Sequence, residues 1–193
     1  YGHDDDYWVK HVFPQYEQYS KGDADWVIIA DADEFIYHPD LLEVLQEEKE
    51  KGTEAILCTG FEMVSDRLPT TSRQIYEQIK QGLPNRLETK WTIHSANVSL
   101  RFAKGRHGPI HDQRHFNRNR NTGIRLLHYR HLTFDYYCDR DRRITERDLK
   151  MYPERSTLVY STEYSKRMPD NIIAVPKEWF AKHKPEAVNV VDF

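Results

Sequence analysis

The chain has 193 residues, 38% of them hydrophobic and 31% charged, with a formal net charge of −3 and a mean hydropathy of −0.83. That is long enough for one domain with its own core, and too polar for a membrane span, which needs roughly 18 or more consecutive apolar residues. Charge is unevenly spread: residues 1–50 carry fourteen Asp or Glu against three Lys, whereas residues 101–150 carry thirteen Lys or Arg against six acids, with five of the ten His.

One end therefore suits cations and the other anions, unless the two are simply solvated faces of opposite sign. Cys58 and Cys138 lie far apart without metal-type spacing, and Cys58 sits in an apolar run. Free thiols in a reducing compartment follow, and with them a cytoplasmic or membrane-peripheral location. The chain opens on Tyr1 in a polar segment without a signal or targeting pattern, so the expectation is a domain with an upstream portion missing.

Pro14 followed by "QYEQYSKG" predicts a short helix ending at Gly22. Residues 26–30, "WVIIA", predict a strand of continuous rather than alternating polarity, covered on both faces and hence central in its sheet. Pro39 opens "PDLLEVLQEEKEKG", a helix with Leu41, Leu42, Val44 and Leu45 on one face and a stop at Gly52. The run "AILCTGF" predicts a second strand, and strand, helix, strand implies a βαβ unit with parallel strands and a right-handed crossover. In open α/β sheets ligands bind beyond the carboxyl ends of the strands, where Asp31, Asp33 and Glu34 fall.

A second helix is predicted over residues 72–82, with Ile75, Tyr76 and Ile79 as its stripe. Downstream the pattern changes to short strands, "TKWTIHS", "NVSLRFA" and "GIRLLHY", which predict a mixed or antiparallel part, then a helix over residues 134–151. The single domain thus divides into a βαβ part at 1–88, a second part at 89–151 and a peripheral tail at 152–193.

Two carboxylates at i and i+2 just beyond a strand end can both turn toward one point, where their repulsion is relieved by a cation. Hard oxygen ligands suit Mg²⁺ or Mn²⁺, which keep positions open for the oxygens of a diphosphate. The bland alternative is that these acids cap the next helix or face water. A zinc hydrolase site built on "HGPIH" is excluded, because Gly and Pro in that stretch break the helix such a spacing needs.

The stretch "GDADWVIIADADEFIYHPDLLEVL" resembles a glycosyltransferase of the GT-A fold, in the family-two-like and family-ninety-two-like branch whose strand ends in D-x-D-E-F. Supporting matches are "RQIYEQIKQG", Lys90 before a strand, "GRH" at 105–107, and the late Leu127, His128 and Tyr129. The resemblance implies an α/β nucleotide-diphospho-sugar transferase fold with a mixed sheet and flanking helices, truncated at its N-terminus, since only about thirty residues precede Asp31 where the family has further βα elements for base and ribose.

The resemblance also implies that Asp31 and Asp33 hold Mn²⁺ or Mg²⁺ against the diphosphate of a nucleotide sugar, a UDP-sugar first, with Asp31 also a substrate contact. A late His completes the coordination, His128 first and His107 second. Lys90, Arg101 or Arg106 would add charge to the leaving group. For an inverting transfer a carboxylate must reach the acceptor hydroxyl of a saccharide, lipid-linked or protein acceptor, and Asp66 and Glu62 are the candidates. Trp91, Tyr129, Tyr136 and Tyr137 are aromatics that could stack on sugar rings.

Two other readings stay open. A haloacid-dehalogenase-like phosphatase would use Asp31 as nucleophile, although Glu34 and Phe35 replace the Gly-Thr or Val usual after its D-x-D. A polyanion-binding module would use the basic segment 101–150, but the acidic domain, with a pI near 6.4, has no nucleic-acid signature and argues against nucleic acid as a partner.

Overall fold

The computed structural model describes residues 7–102, 116–130, 132–133, 135–136, 139–140, 143, 150 and 186–191. It is a mixed α/β fold whose centre is an eight-stranded, mostly antiparallel sheet with few helices. The strands are β1 (Trp26–Ile28), β2 (Glu34–Tyr37), β3 (Ala55–Met63), β4 (Gln81–Pro84), β5 (Lys90–Ser95), β6 (Arg118–Asn119), β7 (Arg125–His128) and β8 (Val188–Asn189). Among the described residues they are accompanied by α1 (Tyr16–Ser20), α2 (Leu41–Glu50) and α3 (Ile75–Gln78).

β3 is the spine. Its first half pairs antiparallel with β5 on one side and parallel with β6 on the other, and its second half pairs antiparallel with β4 and parallel with β7. A bulge lies within the β3/β5 pairing, between Ile56 and Leu57, and adds local twist there. β1 lies outside β5, β2 outside β7 and β8 outside β4, all antiparallel.

Several expectations change against this topology. β1 and β3 run the same way, as a βαβ unit requires, but β5 is inserted between them, so they do not pair. β1 is then an edge strand among the described residues rather than a central one, with Val27 buried and Ile28 45% exposed. Its apolar run is used unevenly: Trp26 donates from Nε1 to the Leu45 carbonyl at 3.0 Å, fastening β1 to α2.

The helix over 72–82 shrinks to the four residues of α3, because Gln81 onward is taken into β4. Pairing with β3 overrides the helical stripe, and Gly82 allows it: a Cβ there would lie 2.9 Å from Met63 Sδ and 3.2 Å from Val190 Cγ2. The predicted strand at 97–103 is a turn followed by irregular chain through residue 102. The tail is not peripheral where it is described, since β8 extends the sheet and Val190 and Val191 are fully buried in the core. Residues 135, 136, 139, 140, 143 and 150 have helical backbone, within the helix expected at 134–151.

α2 forms as predicted, from its apolar spacing to the positive φ of Gly52 just past its end. Leu41, Val44 and Leu45 pack with Ile56, Cys58, Ile93, Ile124 and Leu126, whereas Leu42, one position off that stripe, is 83% exposed. Cys58 is a free, buried thiol whose pKa burial pushes up to about 12, so it is a core residue without nucleophilic character. Cys138 lies outside the described residues. No helix among the described residues is long and apolar enough to cross a membrane.

Candidate active site

β1, β3 and β7 run parallel to one another and β5 runs against them, so the ends of the first three and the start of the fourth share one sheet edge. Five charged residues meet there. Glu34 follows the acidic loop, Glu62 is the penultimate residue of β3, Glu88 ends the turn before β5, Lys90 opens β5, and His128 ends β7. Register dictates the meeting: Glu34 is the cross-strand partner of His128, and His128 is the partner of Glu62. Laterally paired residues share a face, so the three side chains stand in one row across β2, β7 and β3.

Glu88 is brought in by a close approach of backbone. The turn Arg86–Glu88 lies over Gly60, where a Cβ would fall 2.2 Å from the Glu88 carbonyl carbon and 2.5 Å from Thr89 N. Glycine is therefore required at position 60, and its N–H donates to Thr89 Oγ1 at 3.0 Å, closing the crossing.

The centre of the cluster is a buried ion triad. Lys90 Nζ is 2.6 Å from Glu34 Oε1 and 2.8 Å from Glu88 Oε2, and all three are buried. Burial alone would lower the Lys90 pKa, but Glu88 and Glu34 outweigh it and raise it, so the ammonium stays charged. Glu34, Glu88 and His128 have ligand atoms near enough to hold a metal. Lys90 Nζ already stands between the two glutamates, however, and supplies the cation they need. The triad also shapes the acidic loop, since Glu34 Oε2 accepts from Asp31 N at 2.9 Å.

Above the triad lies the rim. Asp33 Oδ2 is 3.7 Å from His128 Nε2 and accepts from the Arg140 guanidinium at 3.1 Å. Its backbone carbonyl accepts from Tyr129 N at 2.8 Å, which ties the loop to the end of β7. On its other side His128 Nδ1 is 3.1 Å from Glu62 Oε2. Burial would lower the His128 pKa, but the hydrogen bond and charge of Glu62, then Glu88 and Asp33, outweigh it and raise it.

Asp33 Oδ2 and His128 Nε2 face each other at the rim, and a cation between them would share Asp33 with the Arg140 guanidinium. A gap of 3.7 Å between Asp33 Oδ2 and His128 Nε2 is too long for a hydrogen bond and exceeds by well under an ångström the roughly 3 Å between adjacent ligands held about 2.1 Å from one Mg²⁺-sized ion. Asp33 is partly exposed and Asp31 exposed, so the loop offers two carboxylates to solvent. His107 and Arg106 lie outside the described residues.

The other expected site residues are placed less directly. Lys90 is at the site but beneath it, its charge absorbed by Glu34 and Glu88. Glu62 is 1% exposed and engaged with His128, so it does not face an acceptor. Asp66 is exposed, three residues beyond β3 at the same edge. Trp91 corrects the stacking expectation: it is 6% exposed, with the guanidinium carbons of Arg118 and Arg120 at 5.7 and 5.4 Å from its ring centre. Tyr129 is buried with its hydroxyl donating to the Ile79 carbonyl, and Tyr137 lies outside the described residues.

Glu88 and Arg140 are the members that sequence reasoning missed. Gly60 in the middle of a strand was the available signal for the first, and the Arg-dense run "DRDRR" for the second. His94 proves unrelated to the site, buried between Tyr16 and Phe102 with ring centres 4.5 and 5.6 Å away.

Comparison with models of known families, with curated proteins and with solved structures gives no match.

Proposed function

We propose that this chain is a metal-dependent glycosyltransferase domain of the GT-A type, moving a sugar from a nucleoside-diphosphate sugar to an acceptor hydroxyl in glycan synthesis. The observation that carries this reading is the pairing of Asp33 with His128 across a 3.7 Å gap, at the edge where β1, β3 and β7 end. A loop of the form D-x-D-E-F thus has a specific physical division of labour. Its Glu is buried and fixes the loop on Lys90, while its two Asp remain toward solvent.

In this reading Asp33 and His128, with Asp31 of the same loop, would hold Mn²⁺ or Mg²⁺, which would neutralise charge on the departing diphosphate. Arg140, already beside Asp33, adds positive charge on the same side. Asp66 is the candidate base for the acceptor hydroxyl, because Glu62 is committed to His128.

The test is a calorimetric titration of Mn²⁺ alone, then of UDP, GDP, CMP and dTDP with Mn²⁺, with EDTA and Asp33→Asn controls. The expected result is binding of one diphosphate that EDTA and the substitution both abolish. Nucleotide binding indifferent to both, or no binding of metal and nucleotide at all, would sink the reading.

A further inference from the structure

We propose that Glu62 is a positioning residue for the metal centre, acting through His128; this deepens the functional reading above and rests on it. An imidazole binds a metal through a nitrogen that carries no proton, so one ring nitrogen must be kept protonated for the other to serve as ligand. In His128 the two nitrogens face different groups. Nδ1 is 3.1 Å from the Glu62 carboxylate, and Nε2 points to Asp33 at the rim.

A carboxylate only accepts, so Glu62 selects the tautomer with hydrogen on Nδ1 and leaves the Nε2 lone pair toward Asp33. Glu88 is the competing acceptor, but its Oε2 is 3.6 Å from Nδ1 and 2.8 Å from the Lys90 ammonium, which takes it out of contention. The arrangement is fixed by the sheet. Glu62 and His128 are direct partners in the parallel β3/β7 ladder, and a slip of one residue would carry the imidazole to the opposite face. Continuity with the core below adds rigidity, since Ile56 and Cys58 on the same strand are fully buried against α2.

The experiment is a Mn²⁺ titration of the intact chain, read as free Mn²⁺ by electron paramagnetic resonance, for the parent, Glu62→Gln, Glu62→Leu and His128→Ala. Each Glu62 substitution is also made in the His128→Ala background. Glu62→Gln keeps a neutral acceptor and Glu62→Leu removes it, so affinity should fall in that order, by about 10-fold and then about 100-fold. In the His128→Ala background neither should change affinity further. In the metal-free parent, ¹⁵N spectra of the neutral ring should show hydrogen on Nδ1, and Glu62→Leu should lose that preference.

Affinities equal to the parent in both Glu62 variants would overturn the proposal and leave the functional reading intact. So would an equal loss in the His128→Ala background, which would mean that Glu62 acts by bulk charge or folding. A parent that binds no Mn²⁺ would overturn both, and that result is seen before any variant is made.

Discussion

Lys90 Nζ sits 2.6 Å from Glu34 Oε1, a fully buried ion pair joining the end of the acidic loop to the start of a strand 56 positions later. With Glu88 on its other side, the ammonium neutralises two carboxylates that are largely withdrawn from water. Removing one member of such a group leaves its partners charged and desolvated, which costs about 3–5 kcal/mol. Lys90→Met should therefore destabilise the fold by that amount in urea unfolding, and adding Glu34→Gln should recover part of it. A Lys90→Met protein as stable as the parent would mean that the triad is not closed in solution.

Gly60 gives a steric prediction independent of charge. Its missing Cβ makes room for the Glu88–Thr89 peptide, and the clash in Gly60→Ala would be with backbone, which cannot rotate away. The turn Arg86–Glu88 must lift off β3, withdrawing Glu88 from Lys90. Overpacking of this kind lies at the upper end of its usual range, roughly 3 kcal/mol or more. Thermal unfolding of Gly60→Ala should show that loss, together with weakened Mn²⁺ binding; a variant within about 0.5 kcal/mol of the parent would contradict the close crossing.

How much of this could be read in the sequence depends on the range of the interactions involved. The strand after Trp26 and helix α2 are local patterns of apolar period and stop residues, and both form, the strand shorter than expected and at the sheet edge rather than its centre. The place of His128 at the end of β7 was legible because it terminates an apolar run. The insertion of β5 between β1 and β3 was not, since no local pattern distinguishes a strand that pairs with its neighbour from one that waits for a later partner. Glu34 therefore read as a third acid of the loop, although its side chain turns inward to a lysine far along the chain. α3 failed for the related reason that pairing with β3 and β8 outweighed a modest helical stripe.

His94 makes folding sensitive to acid at a point remote from the site. It is fully buried, its Nδ1–H donates to the Ser95 carbonyl at 3.0 Å, and its Nε2 meets no hydrogen-bond partner among the described residues. Burial pushes its pKa down from 6.5 to about 4. Between those values the unfolded chain binds a proton that the native state refuses, so stability is full above about pH 6.5 and is lost as pH falls toward 4. The loss from this group is about 3 kcal/mol at most. Urea unfolding from pH 7 to 4 should show the slope, and His94→Phe, which cannot titrate, should remove it whatever its baseline stability. An unchanged slope would assign the effect to other groups.

His128 works in the opposite direction. Despite burial, Glu62, Glu88 and Asp33 raise its pKa, so its protonated form stabilises the metal-free fold below the unfolded value of 6.5, and that contribution is lost as pH rises through the folded value. A metal needs the neutral ring, so a proton on Nε2 and a divalent ion compete for one lone pair. Mn²⁺ affinity should then rise with pH by up to tenfold per unit while His128 is protonated, and level off once the ring is neutral. Calorimetry at one pH in buffers of different ionisation enthalpy should report close to one proton released per Mn²⁺ bound in the protonated range. Asp33→Asn should lose the metal while keeping the folded protein, because Asp33 is partly exposed and its carboxylate is replaced by a neutral isostere. An affinity independent of pH would remove His128 from the coordination and place the ion on the loop acids alone.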